Sequence, residues 1–225
     1  MFQSLAEWLF PAKCIGCGVR GTPLCTACRR ELPHLPEGTC ARCSAWRSAR
    51  GACRSCRRLS PVLRSVHAAF AYEGAAREAV VTLKFRGGRY LAPLMGELWR
   101  AELVGQPIYA DLLVPVPLTV ERQRERGFNQ AALLADELAL TLGRPVLKDV
   151  LVRRERPAQR TLGAAQRLRN LRGAIACVQP DAVAGQRVLL VDDVVTTGAT
   201  LSACAASLAA AGAQRISALA FARDL

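Results

Sequence analysis

The sequence predicts an α/β fold with a mainly parallel sheet, carried behind a small cysteine-rich module. Three observations predict it. After Pro61, strand-like runs alternate with helix-like runs, the pattern of βαβ units. One of those runs, Val188–Val191, is wholly apolar, as strands covered on both faces are. Before Pro61 the chain instead spaces eight cysteines as four Cys-x-x-Cys pairs. This change of texture divides the chain into domains 1–60 and 61–225.

A chain of 225 residues can bury one or two cores. With 51% hydrophobic and 22% charged residues, a wholly disordered chain is excluded. Alanine accounts for 38 residues and aromatics for only 5%, so the core is expected to be small and aliphatic. No apolar run reaches the length of about 18 residues that a membrane span needs. The opening Met1–Phe10 lacks a basic start and holds Glu7 within its apolar stretch, which argues against a signal peptide. Phe2, Leu5, Trp8 and Leu9 suggest a short amphipathic turn packed on the body. The expected location is cytoplasmic, where thiols stay reduced.

Reduced thiols in this pattern point to metal. Each Cys-x-x-Cys can form a knuckle with two thiolates, and two knuckles complete the tetrahedral S4 site that structural Zn2+ prefers. Pairing in chain order gives Cys14/Cys17/Cys25/Cys28 and Cys40/Cys43/Cys53/Cys56, closing inner loops of 7 and 9 residues. A crossed pairing of first with third knuckle and second with fourth stays open. Iron–sulfur is the minor competitor, and a redox Cys-x-x-Cys would not come fourfold. Closed sites of this kind are structural and supply folding energy to a segment short of apolar residues. Cys177 and Cys204 lie in apolar surroundings and read as small buried hydrophobes.

The elements after Pro61 follow in order. Ser65–Tyr72 reads as a strand ended by Glu73-Gly74, and Ala75–Phe85 as a helix ended near Gly87-Gly88. Leu91–Val104 is a second helix stopped by Gly105 and Pro107, and Leu112–Val116 a short strand closed by Pro117. Asn129–Leu142 is a helix with Gly143 past its end, and Val146–Val152 a strand. Arg153–Arg172 has no clean period and seven arginines, so it reads as a loop or an exposed helix. Ala174–Val178 and Val188–Val191 are strands, Thr200–Ala211 a helix ended by Gly212, and Ile216–Ala222 a last strand.

The net charge of +13 is unevenly placed. Residues 1–60 carry a net +7, 61–120 a net +1, 121–172 a net +6 and 173–225 a net −1. Filling two zinc sites with thiolates lowers the total to about +9. Such blocks favour polyanions: nucleic acid, phosphorylated small molecules or anionic lipid. The preference for arginine (28 against 3 lysines) is explained well enough by base composition, since alanine is equally heavily used.

The segment richest in chemistry runs from Val188 to Leu201. A buried strand carries Asp192 and Asp193 at its carboxyl end, and a small-residue loop, Thr196–Thr200, opens a helix. Backbone N–H groups of Thr196, Thr197, Gly198, Ala199 and Thr200, with the threonine hydroxyls, can cradle a phosphate. Gly198 permits the close backbone approach. Two carboxylates just ahead suit a sugar diol, with Mg2+ nearby to offset charge. A diol and a phosphate at this spacing describe a ribose 5-phosphate.

This segment resembles the 5-phosphoribosyl 1-pyrophosphate (PRPP) loop of type I phosphoribosyltransferases. Further motifs resemble the ComF family of bacterial competence proteins: Pro115-Val116-Pro117, Arg122-Gln123-Arg124-Glu125-Arg126-Gly127-Phe128-Asn129-Gln130, Lys84-Phe85-Arg86-Gly87, Gln159-Arg160-Thr161-Leu162 and Arg167-Leu168-Arg169-Asn170-Leu171. The resemblance covers nearly the whole chain. It implies an α/β fold with a type I phosphoribosyltransferase-like, mainly parallel sheet and an N-terminal double zinc ribbon. It places pyrophosphate at the turn after Pro117, held by Arg122 and Arg126, and makes Arg153–Arg172 the loop over the site. It implies Asp192 and Asp193 as catalytic residues holding the diol beneath a cation-like sugar, with Mg2+ on the pyrophosphate. A hood that selects the acceptor is expected around Val66–Lys84.

Two functions remain open at this point. One is a transferase acting on PRPP with an unknown acceptor. The other, implied by the family, is a PRPP-binding module that serves DNA uptake or processing in natural transformation beside a competence helicase and a recombination mediator. Single-stranded DNA would then meet Arg153, Arg154, Arg156, Arg160 and Arg167, with strongly salt-dependent affinity. Trp46, Phe85, Tyr90 and Phe128 are the few aromatics near basic residues, and most of them read equally well as core.

Overall fold

The computed structural model of the protein describes residues 12–46, 53–105, 108–154 and 173–225. A short helix, α1 (Thr26–Arg30), lies in the cysteine segment. There follow β1 (Leu63–Ala71), α2 (Gly74–Phe85), α3 (Ala92–Leu103), β2 (Leu112–Pro115), α4 (Val120–Arg126) and α5 (Gln130–Leu142). The chain closes with β3 (Leu151–Arg153), β4 (Ile175–Cys177), β5 (Arg187–Val195), α6 (Ala199–Ala210) and β6 (Arg215–Arg223).

Four strands form one parallel sheet in the order β1-β6-β5-β2. The central strand β5 is apolar from Val188 to Val191 because both of its faces are covered. On one face, Leu189, Val191, Phe221 and Leu219 pack under α2, α3 and α5. Trp99 and Phe70 flank Phe221, with ring centroids 6.0 and 5.1 Å away. On the other, Val188, Leu190, Ala218 and Ala220 pack under α6 and the β3–β4 pair. The starts of β2 and β5 are tied by Asp111, which accepts from the Arg187 guanidinium at 2.6 Å and from its backbone N–H at 2.8 Å. That pairing brings the Asp111 carboxyl down to about 2.

The expected strand Val146–Val152 is not one strand. Val146 makes a single parallel bridge to Leu113, and Leu151–Arg153 then pairs antiparallel with β4 in a separate two-stranded sheet. Lys148-Asp149 interrupts the run, so its two ends serve different partners. The expected strand Ser65–Tyr72 is present as β1, with Val66 on the edge strand of the main sheet. No described helix is long and apolar enough to cross a membrane.

The cysteine segment covers the exposed edge of β1. The N–H groups of Val66 and Ala71 donate to the carbonyls of Arg42 and Pro33, both at 2.7 Å. Ser44 Oγ donates to the Val66 carbonyl and accepts from Ala68 N–H, each at 3.3 Å. An edge strand left bare would invite pairing with another chain. The segment also splits across the sheet. Cys14, Leu24 and Leu32 join the α2–α3–α5 core, whereas Cys40, Cys43, Ala45 and Leu59 join the α6 core.

Candidate functional site

The eight cysteines gather into two groups, Cys14/Cys17/Cys25/Cys28 and Cys40/Cys43/Cys53/Cys56, with the ligand atoms of each within 4.8 Å of one another. The pairing is therefore in chain order, not crossed. The sulfurs of Cys17 and Cys25 are 3.7 Å apart, those of Cys40 and Cys56 3.5 Å, and those of Cys43 and Cys53 3.6 Å. A tetrahedron with Zn–S near 2.3 Å sets sulfurs about 3.8 Å apart, so both groups fit Zn2+.

Within each group the thiols split: Cys14 and Cys40 are drawn down, while hydrogen bonds from Cys25 and Cys17 push Cys28 up to about 12, and burial pushes Cys43 and Cys56 up. Burial pushes the Cys14 thiol up, but the backbone N–H groups of Cys25, Cys17 and Gly16 outweigh it and bring it down to about 6. Cys40 is likewise lowered to about 7, where the amides of Arg42 and Cys43 outweigh burial. The first knuckle needs its glycine, because a Cβ on Gly16 would lie 2.6 Å from Cys28 Sγ.

The second feature stands at the carboxyl ends of β5 and β2, where ligands of parallel α/β sheets bind. The strand β5 continues past the apolar run through Asp192 and Asp193 to Val195, with Asp192 in register with Ala220 of β6. Gly198 then caps α6 with φ +74°, and a Cβ there would lie 2.4 Å from Leu59 Cδ2. Thr196 and Thr197 are exposed. Thr197 Oγ1 accepts from Ala199 N–H at 3.3 Å, which draws the loop into a tight turn.

Consecutive strand residues start toward opposite faces, yet the two carboxylates stay close enough to interact. Asp193 turns toward α2, where its Oδ2 lies 2.6 Å from Lys84 Nζ, with only 4% of its side chain exposed. Asp192 lies on the α6 side, within electrostatic reach of Cys204 and Arg153. Part of Asp192 reaches solvent, yet burial of its carboxyl and the like charge of Asp193 push it well above the usual carboxylate range.

The neighbouring strand end supplies cations. Val116 N–H donates to the Val191 carbonyl at 2.9 Å, and buried Pro117 ends this stretch. Thr119 caps α4 by accepting from Arg122 N–H, and Asn129 Nδ2 ties the following turn to the Val116 carbonyl at 3.0 Å. Arg122 and Arg124 are exposed on α4. Arg126 is half-buried, donates to Gln130 Oε1 at 2.8 Å, and lies 4.9 Å from the ring of Phe85. Its guanidinium feels burial first and the attraction of Asp193 next.

Residues 126–224 match the phosphoribosyl transferase domain model, and residues 5–57 match the double zinc ribbon domain model. Competence protein ComFC of Bacillus subtilis is 31% identical over 187 residues, 79% of this chain and 74% of that protein. Competence protein F of Haemophilus influenzae is 30% identical over 219 residues, 92% and 95% of the two chains. The chain belongs to the ComF family. The DNA utilization protein YhgH of Escherichia coli is 38% identical over a shorter 107 residues, 47% of this chain and 46% of that one.

Within this ComF fold, Asp192, Asp193, Thr196–Thr200, Pro117, Arg122 and Arg126 come to one edge of the sheet. Arg153 joins them: it is half-buried and feels Arg122 and Asp192 across the cleft. Arg154 is exposed beside it, whereas Arg156, Arg160 and Arg167 lie outside the described residues. Cys204 is buried as expected, and Cys177 only half-buried.

Sequence reasoning gave no role to Lys84, Arg223 or Leu59. Lys84 had a signal, since it opens the ComF-like run Lys84-Phe85-Arg86-Gly87. Of the aromatics that read equally well as core or as partners of basic residues, three lie outside the core: Phe85 is 69% exposed, and Tyr90 and Trp46 are also exposed.

Proposed function

We propose that this ComF protein binds PRPP, or a related ribose phosphate, at the carboxyl edge of β5. The observation that carries the reading is one juxtaposition. A carboxylate pair and a Thr-Thr-Gly helix entry on β5 stand beside the arginines that follow β2. The amides at the start of α6 take the 5-phosphate. Asp192 accepts from a ribose hydroxyl. Asp193 stands beneath the sugar ring, paired with Lys84. Arg122 and Arg126 take the pyrophosphate, for which the fork of a guanidinium is suited. When bound with the ligand, Mg2+ supplies further counter-charge to that pyrophosphate.

The same protein serves DNA handling in competence, a role supported by the names of its relatives. Single-stranded DNA is taken at the rim of the cleft. Exposed Phe85 under Arg126, and Arg89 stacked 4.4 Å over Phe128, offer planes for bases beside cations for phosphates. Arg153 and Arg154 extend that rim.

Thermal denaturation with and without PRPP and Mg2+ tests the first part. The midpoint is expected to rise, and Asp192→Asn with Asp193→Asn to abolish the rise. No shift at millimolar ligand overturns it. For the second part, affinity for an oligodeoxythymidylate should fall steeply with salt. Unchanged affinity after Phe85→Ala with Arg153→Glu and Arg154→Glu would exclude this rim.

A further inference from the structure

The second cysteine group and the phosphate loop touch each other, and the first group does not share in this contact among the described residues. The link is Arg223, the last residue of β6, of which only 3% is exposed. Its Nη1 donates to the Cys43 carbonyl at 2.7 Å, inside the second group. Its Nη2 donates to the Thr196 carbonyl at 3.3 Å, inside the loop. Two further contacts run in parallel. Ser60 N–H donates to Ser202 Oγ on α6 at 3.0 Å, and Leu59 packs where a side chain on Gly198 would be.

From these contacts we infer that Arg223 is a positioning residue, through which the second zinc site sets the phosphate loop. The inference rests on the ribose-phosphate reading above. The reasoning is geometric. In a trans peptide the C=O and the following N–H point in opposite directions. Holding the Thr196 carbonyl inward turns the Thr197 N–H outward, toward the space where a phosphate is cradled. Leu59 fills the volume behind Gly198, so the αL turn cannot relax into the core. Charge acts in the same sense. A zinc tetrathiolate carries a net double negative charge. A buried guanidinium needs such a counter-charge to stay where it is. The second zinc site therefore acts at a distance on phosphate binding, whereas the first serves the α2–α3 side of the fold.

The test uses the full chain as Arg223→Lys, Arg223→Met and Leu59→Ala. Each is measured for zinc content, for amide exchange at residues 196–200, and for PRPP affinity with Mg2+ by calorimetry. Arg223→Met and Leu59→Ala are expected to keep both zincs, to exchange faster at Thr197 and Ala199, and to bind PRPP about tenfold more weakly. Arg223→Lys, which keeps one donor, should fall between them and the parent. Cys17→Ser in the first group should lose one zinc without faster exchange in the loop, and Cys53→Ser should lose one zinc with it. Unchanged loop exchange in Arg223→Met and Cys53→Ser overturns the inference. If the parent chain does not bind PRPP, the ribose-phosphate reading fails, and loop exchange still decides whether Arg223 sets the loop. If Arg223→Met does not fold, Leu59→Ala and Cys53→Ser carry the same comparison.

Discussion

Replacing Lys84 by methionine keeps most of the side-chain volume and removes the counter-charge of Asp193. The pair is 2.6 Å apart, with 18% of the lysine and 4% of the aspartate side chain exposed. Removing one partner of a buried pair costs about 3–5 kcal/mol, because the other charge is left uncompensated. The lower end applies here. Lys84 keeps some contact with water, and the Arg126 guanidinium remains within electrostatic reach of Asp193. A loss of about 3 kcal/mol in a chain of this size lowers the thermal midpoint by about 6–12 °C. Calorimetric melting of the zinc-loaded protein at neutral pH measures it. The double variant Lys84→Met/Asp193→Asn should recover part of the loss, with a coupling energy of about 2 kcal/mol. A fall under about 2 °C, or strict additivity in the double variant, would refute the view that this pair is buried and mutually dependent.

Three more outcomes are expected. Asp192→Asn should stabilise the ligand-free protein at pH 7–8 while weakening ligand binding. A carboxyl raised in the folded state contributes stability that is full below its unfolded value of about 3.9 and is lost as pH rises above it. Melting curves of both proteins between about pH 5 and 8 should therefore diverge as pH rises, and parallel curves would contradict the burial of Asp192. Gly198→Ala should cost about 1–3 kcal/mol, from a left-handed backbone and from the clash with Leu59. Adding Leu59→Ala should return only the steric part, read as a partial recovery of the midpoint. Gly16→Ala should lose one of the two zincs by metal analysis, since its Cβ would strike Cys28 Sγ, and retention of both would show that the first knuckle can yield.

Much of the fold was legible because its signals are local. The apolar run Val188–Val191 announced a doubly covered strand, and the Asn129 cap with Gly143 past the end marked α5 at both termini. The cysteine spacing announced two metal sites, yet their pairing needed the sulfur positions in space. Other features depend on partners distant in the chain. Leu151–Arg153 pairs with β4 rather than with the main sheet, and nothing in its own residues distinguishes the two. The two aspartates read as a pair at a strand end, but the Lys84 that lies 2.6 Å from Asp193 comes from α2, more than a hundred residues earlier in the chain. Arg223 stood just past the expected last strand, Ile216–Ala222, with nothing in its neighbours to single it out. Its role follows from Cys43 and Thr196, brought to it from two other parts of the chain.

Isothermal titration with PRPP and Mg2+, on the zinc-loaded parent and on Asp192→Asn/Asp193→Asn, bears most directly on the site at the carboxyl edge of β5. Saturable binding to the parent at one site per chain, lost in the double variant although both zincs remain, is the predicted result. Absence of binding to the parent, or equal binding to the double variant, would contradict it.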